Sequence, residues 1–369
     1  MGLEVSFANA KKVIPTVSST DDLEYTLAAY IRQLTRATKP VIAWVSSQRD
    51  QQLRRSWQRL QESLRENYDV RAGFDLNVDT ALNQGVKILV LGGSPDSFPQ
   101  AQQDRVLRYL QAGGSAFVFT SGMLLSPQSE FAQPLPVTWN PILRPYGVTI
   151  QADMAYDLRS NRPIGMPTAS GMRIAMPYPL WVSGLSTKVS VVNEGIEGVF
   201  LPWTSTIDTS GAKKGVVTPL FVTSRYAGVE GLRVLITPGR QYAQDSLGTR
   251  ILGVQVNTHA AGDSSSGGPN GRLIVVGSTD FSVDGFTQPE NQTFFHNGLD
   301  WLAQDMDLIA IRSKDRTPPR LVYGKPAVQD AAKYSNVIGV PVLLALVGAV
   351  RMFRRRRLQG RSYEAGAAA

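Results

Sequence analysis

The sequence contains no cysteine. Disulfides, thiolate metal sites and a cysteine nucleophile are therefore excluded. The compartment stays open, because bacterial envelope proteins often lack cysteine too. Histidine is nearly absent: His259 and His296 are the two in 369 residues. Neither has a second histidine at metal-ligand spacing, so each reads as a satisfied or solvent-facing side chain, and no metal or cofactor is expected. No G-x-x-x-x-G-K-[ST] stretch occurs, which excludes a P-loop ATPase. The glycines after Leu91 do not form G-x-G-x-x-G, and there is no G-x-S-x-G elbow. The opening MGLEVSFANAKKVIP has no apolar signal-peptide core.

A basic face is missing as well. The net charge is +8, but Arg351, Arg354, Arg355, Arg356, Arg357 and Arg361 against Glu364 give the last nineteen residues +5, leaving +3 for the rest. The body has no basic stripe with interleaved aromatics, so nucleic acid is not the expected partner. What remains is globular: 43% apolar and 18% charged residues are ordinary values. A chain of this length can bury a large core as two or three units.

One apolar run stands out, NVIGVPVLLALVGAVRMFRRRR from Asn336 to Arg357. Val337 to Val350 carries no charge. Extended to Phe353, the run makes a helix of about 27 Å at 1.5 Å per residue, against a hydrocarbon core of ~30 Å. The sequence thus predicts a transmembrane helix over 335–353, anchored by Val337, Leu343, Leu344, Leu346, Val350 and Phe353. Arg351, Arg354, Arg355, Arg356 and Arg357 would hold the C-terminus in the cytoplasm and place the main domain outside it. A buried core helix is the competing reading for such a run. The basic tail is 354–369, and 315–334 reads as a linker.

Along the body, apolar runs alternate with amphipathic stretches. Residues 1–18 hold one or two short strands. SSTDDLEYTLAAYIRQLTR has a capping residue, an acidic first turn and Leu23, Leu27, Ile31 and Leu34 at helical spacing. VIAWV (41–45), VKILVLGG (86–93) and residues 115–120 read as buried strands. Residues 50–67 and 98–111 read as helices between them. This pattern over 19–124 predicts an α/β fold with a mostly parallel sheet covered on both faces. Residues 125–250 turn proline-rich and strand-like, a β-rich excursion. Residues 251–314 close the domain with RLIVVGSTDF, the helix NQTFFHNGLDWLAQ and the strand DLIAIRSK.

Polar residues cluster at the expected strand ends: Ser46, Ser47, Gly92, Gly93, Ser94, Ser121, Ser278 and Asp280. In an open α/β sheet those ends line the edge where ligands bind, and hydroxyls with backbone N–H groups suit a glycan, a peptide or a small molecule. Turn chemistry accounts for the same residues. Asp280 and Asp284 form a candidate carboxylate pair for an envelope glycan hydrolase or transferase. Asn291-Gln292-Thr293 is a formal glycosylation sequon at a helix start, where asparagine is more often a cap.

Four stretches carry a family resemblance: STDDLEYTLAAYIRQLTRATKPVIAWVSS; VKILVLGGSPDSFPQAQQDRVLRYLQAGGSAFVFTSG; GRLIVVGSTDFSVDGFTQPENQTFFHNGLDWLAQDMDLIAIRSK; and the apolar run with its basic end. On these the chain resembles the C-terminal two-thirds of GldG-like auxiliary proteins of ABC transport systems, named from gliding motility. The middle, 125–250, resembles them loosely. The resemblance implies an extracytoplasmic α/β domain similar to class I glutamine amidotransferases without their catalytic apparatus. It implies a partner ABC ATPase and permease at the bacterial inner membrane. Such proteins usually begin with a membrane helix and a further domain. Neither stands at the start of this chain, as expected of a fragment, a split product or a trimmed form, and a missing first span would explain the missing export signal. The function expected is a non-catalytic, membrane-anchored accessory subunit. The glycan-processing enzyme and a purely structural assembly protein are the alternatives.

Overall fold

A computed structural model describes residues 2–7, 10–14, 27, 30, 31, 34, 38–45, 50, 56–77, 82, 85–93, 98–126, 129–167, 172–257, 271–303, 334, 335, 338 and 340–364. The chain divides into two compact units, Met1–Arg316 and Thr317–Ala369.

In the first unit, β1 (Leu3–Phe7) and β2 (Ala10–Ile14) form a hairpin. The sheet proper begins with β3 (Val41–Val45), followed by helix α1 (Gln58–Leu64), β4 (Asp69–Ala72), β5 (Val86–Gly92), α2 (Gln100–Gln111) and β6 (Ser115–Phe119). Short elements come next: β7 (Met123–Leu124), β8 (Phe131–Pro134), α3 (Asn140–Leu143) and β9 (Thr149–Ile150). Then run β10 (Asp153–Asp157), β11 (Asn161–Pro167), β12 (Arg173–Ser186), β13 (Gly198–Pro202) and β14 (Ile207–Asp208). β15 (Val217–Val222), β16 (Ala227–Gly231), β17 (Val234–Leu235), β18 (Ile251–Asn257), β19 (Arg272–Val276) and α4 (Pro289–Leu302) complete the unit. The second unit contains α5 (Val340–Glu364).

One ten-stranded sheet holds β11-β12-β15-β18-β19-β6-β5-β3-β4, with β13 paired to β12 beside this path. From β19 to β4 all neighbours are parallel. From β19 back to β11, and between β12 and β13, all are antiparallel. The expectation of a mostly parallel, glutamine-amidotransferase-like sheet is therefore corrected to a mixed sheet. The cause is the middle of the chain: within 125–250, β11, β12, β13 and β15 join the sheet as antiparallel neighbours, while β8, β9, β10, β14, β16 and β17 pair in smaller sheets. Antiparallel strands need only short connections, which suits a segment dense in proline and turns.

Strand alternation divides the core into two. In β3, β5, β6 and β19, Ile42, Trp44, Ile88, Val90, Phe117, Phe119, Ile274 and Val276 face one side. Ala43, Val45, Leu89, Leu91, Ala116, Val118, Leu273 and Val275 face the other. Neither side meets water, so the runs read as continuously apolar. Leu60 and Leu64 of α1 and Phe294, Phe295, Leu299 and Leu302 of α4 cover the first side. Val106 and Leu110 of α2 and Ile142 and Leu143 of α3 cover the second. The first core is aromatic: Phe117 stacks on Phe295 at 4.3 Å between centroids, and Trp44 stacks on Phe295 at 5.8 Å. Gly298 lets α4 lie close, since a Cβ there would come within 2.8 Å of the Phe117 ring. A third cluster, Met123, Ala132, Met154, Tyr156, Tyr178, Leu180 and Val234, lies under the antiparallel excursion.

The expected transmembrane helix is also corrected. Among the described residues no helix is long and apolar enough to cross a membrane. α5 has 25 residues, but its uncharged part is Val340–Val350, about 16 Å of rise against ~30 Å of hydrocarbon. Arg351, Arg354, Arg355, Arg356 and Arg357 continue the same helix. Of the expected anchors, Leu346, Val350 and Phe353 are exposed on α5. Leu343 and Leu344 also lie on α5. Val337 falls outside the described residues.

Candidate functional site

The parallel strands β19, β6, β5, β3 and β4 end on one edge. The chain passes from β3 to β4 on one side, then places β5 on the other side of β3. The gap between the carboxyl ends of β3 and β5 is thus a topological switch point, the crevice where open α/β sheets take ligands. Gly92 and Gly93 end β5, Ser121 follows β6, and Ser278 and Asp280 follow β19. Ser46, Ser47 and Ser94 lie outside the described residues.

Several of these residues meet. Gly93 N–H donates to the Phe119 carbonyl at 3.0 Å. The Thr279 hydroxyl donates to the Gly93 carbonyl at 3.4 Å and accepts from Ser121 N–H at 3.0 Å. Ser121 Oγ lies 3.1 Å from Ser205 Oγ. Ser205 Oγ in turn accepts from Gly122 N–H at 2.8 Å and donates to the Asp153 carbonyl at 2.6 Å. Ser278 turns aside and donates to the Pro202 carbonyl at 2.7 Å. Ser121, Ser205, Ser278, Thr279 and Asp280 are all buried. These hydroxyls and amides form a seam that joins the ends of β5, β6 and β19 to the β10 and β13 region.

Asp50 and Ser205 carry no signal in the sequence. Asp50 is buried beside Gly93, whose φ is +102°, and a Cβ on Gly93 would sit 1.8 Å from Asp50 Oδ2. Position 93 thus requires glycine for two reasons: the left-handed backbone and the carboxylate against it. Strand-end glycine is visible in the sequence, but nothing local points to a carboxylate 43 residues earlier. The same holds for Ser205, which follows a short strand in the proline-rich middle.

Of the candidate carboxylate pair, Asp280 is buried and Asp284 is engaged at a helix terminus. Asp284 caps α1 from across the chain: Oδ2 accepts from Ser56 Oγ at 2.7 Å and Gln58 N–H at 3.1 Å, and Oδ1 accepts from Arg59 N–H at 3.2 Å. A carboxylate suits a helix N-terminus, where amides are unpaired and the dipole is positive. Asp153 holds the seam from the other side, accepting from Thr206 N–H at 2.8 Å and Thr206 Oγ1 at 2.6 Å. Burial nonetheless lifts its carboxyl above the ordinary value, against those bonds and Arg250. His296 lies 3.1 Å from Ser63 Oγ, joining α4 to α1. His259 lies outside the described residues. Among the described residues no group of three or more acidic or histidine side chains is placed to hold a metal ion.

Asn291 is neither an N-cap nor an accessible sequon. It lies inside α4, fully buried, where its amide donates to the Phe200 and Phe281 carbonyls and accepts from Phe200 N–H at 2.9 Å. A surface hollow of about 360 Å³ runs along the loop Lys188–Glu197. That loop is anchored to α4 by the 3.3 Å bond from Asn297 to the Val192 carbonyl.

Comparison with known proteins adds a relative and a family. An uncharacterized protein of Borreliella burgdorferi is 21% identical over 384 residues, covering 96% of this chain and 74% of its own. Among solved structures, the mmIFT52 N-terminal domain is 16% identical with a TM-score of 0.47, over 71% of this chain and 96% of its own. A putative ThuA-like protein from Bacteroides uniformis is 11% identical with a TM-score of 0.42, over 73% of this chain and 94% of its own. The family model described as an ABC-type uncharacterized transport system, auxiliary component, matches residues 39–307, from just before β3 to just past α4. The chain therefore belongs to this uncharacterized family of auxiliary ABC transport proteins.

Proposed function

We propose that the chain is an accessory subunit that works beside an ABC ATPase and a permease, in the manner of GldG-like proteins. Its α/β unit binds a transported ligand or an envelope partner. The observation that supports this most is the extent of the family match: residues 39–307 include every strand of the mixed sheet and the whole carboxyl edge. The binding region we assign is the β3/β5 switch point, with Gly92, Gly93, Ser121, Ser278 and Asp280 at or behind it, and Ser46, Ser47 and Ser94 next in sequence after β3 and β5. Hydroxyls and backbone amides at such an edge suit a glycan, a peptide or another small polar molecule. The working location is the bacterial inner membrane, with the main unit on the extracytoplasmic side. The arginines of α5 suit contact with anionic headgroups or an acidic permease surface.

Affinity purification of the tagged chain from its native cells tests the reading. Co-purification with an ABC ATPase and a multi-span permease is expected, with protease reaching the main unit in spheroplasts. Purification without either transport subunit, or protection of the main unit until lysis, rejects it. A thermal-shift screen of glycans, peptides and metabolites then tests the binding region. A ligand whose shift survives substitution throughout the edge loops would move the site elsewhere.

A further inference from the structure

The sheet edges of this protein differ in how they are protected. β11, at one end of the ten-stranded sheet, carries Pro163, Gly165 and Pro167. Proline offers no N–H to an incoming strand. β4, at the other end, is four residues long and exposes Asp69 and Arg71, whose side chains pair at 3.2 Å. Short length and charge discourage further pairing.

β1 has neither device. Its sequence LEVSF holds no proline and one charge, Glu4. Among the described residues β1 pairs with β2 alone, in the register Leu3↔Ile14 to Phe7↔Ala10. A two-stranded hairpin by itself is marginal in water. The pleat places Leu3, Val5 and Phe7 on the side of Ile14, Lys12 and Ala10, and Glu4 and Ser6 on the side of Val13 and Lys11. Phe7 is 55% exposed and Val13 49%.

We propose that β1 pairs antiparallel with β1 of a second copy, across a twofold axis at Val5, to make a four-stranded sheet. The strand is self-complementary in that register. Leu3 lies opposite Phe7 of the second copy, Glu4 opposite Ser6, and Val5 opposite itself. The apolar residues stay on one side, and no like charges face each other. Such a contact is isologous and closes as a dimer. The outer edge of β2 is the poorer choice, because the equivalent twofold register sets Lys12 against Lys12 and like charges directly opposite destabilise a pair. A five-residue strand pair is a small interface, so the association is concentration-dependent.

Sedimentation velocity on the full chain over a wide concentration range tests this. The wild type should move from monomer toward dimer as concentration rises. Val5→Lys places two ammonium groups across the axis and should leave the protein monomeric throughout. Val5→Glu should do the same. An equimolar mixture of the two variants should recover the dimer, which shows that both remain folded and that the contact runs through position 5. A wild type that stays monomeric to its solubility limit overturns the proposal. So does a dimer that persists in Val5→Lys, or a mixture of the charged variants that fails to associate.

Discussion

At Gly93 a hydrogen atom occupies space that a methyl group would have to share with a carboxylate. Its φ of +102° and the 1.8 Å separation that a Cβ would have from Asp50 Oδ2 combine conformational and steric costs. Gly93→Ala should lower stability by about 2–4 kcal/mol in urea unfolding. Adding Asp50→Ala should restore the steric part only, so the two changes are not additive. Asp153 supplies a pH signature. Its folded-state carboxyl titrates above the ordinary 3.8 because burial disfavours the charge. The folded state therefore holds this proton more tightly than the unfolded state does. The contribution to stability is fully present below the unfolded value and is lost as pH rises through the folded one. Asp153→Asn should flatten the stability-against-pH curve from 3.8 upward, which unfolding midpoints across acidic to neutral buffers will show. Burial also pushes the Tyr109 and Tyr242 hydroxyls up to about 12. Gly93 is recognisable in the sequence as a turn glycine at a strand end. Its neighbour Asp50 is not, because their contact is made by tertiary packing and not by local pattern.

Among the elements, α1 and α4 show how much a local pattern conveys. Their apolar spacing is plain in the sequence, and Leu60, Leu64, Phe294, Phe295, Leu299 and Leu302 are buried as helical periodicity requires. What starts α1 is hidden there: its first amides bond to Asp284, 226 residues away. Asp284→Ala should cost about 1–2 kcal/mol, the usual effect of losing a cap, while Asp284→Asn should retain most of it. Denaturant unfolding of both variants checks this. For α4 the motif misleads. Asn291 matches a sequon, yet its side chain is fully buried and bonded to the strand β13 and to Phe281. Expression in a glycosylating host should leave the mass at this asparagine unchanged by intact-protein mass spectrometry. Asn291→Ala should destabilise by about 1–3 kcal/mol, because buried Phe200 and Phe281 polar groups lose their partner.

Over the whole molecule, the parallel half of the sheet is legible because strands buried on both faces read as largely apolar runs: VIAWV, VKILVLG and SAFVF. The antiparallel half is not. Prolines interrupt β11, β12 and β15, and β11 and much of β12 are half-exposed, so their periodicity gives no sign that they extend the same sheet. The apolar tail misleads for another reason. Counting hydrophobic residues measures the run, but α5 carries its arginines within the same helix.

β19 lies between β6 and β18, parallel to one and antiparallel to the other. During synthesis β6 leaves the ribosome well before it and β18 shortly before it. Until Arg272–Val276 emerges, the two finished halves face each other as apolar edges with a vacancy one strand wide. A nascent chain stalled or truncated just short of Arg272 should bind chaperones or precipitate, and one released after Leu302 should not. One late strand therefore joins the parallel and antiparallel halves, and the sheet stays open until it is made.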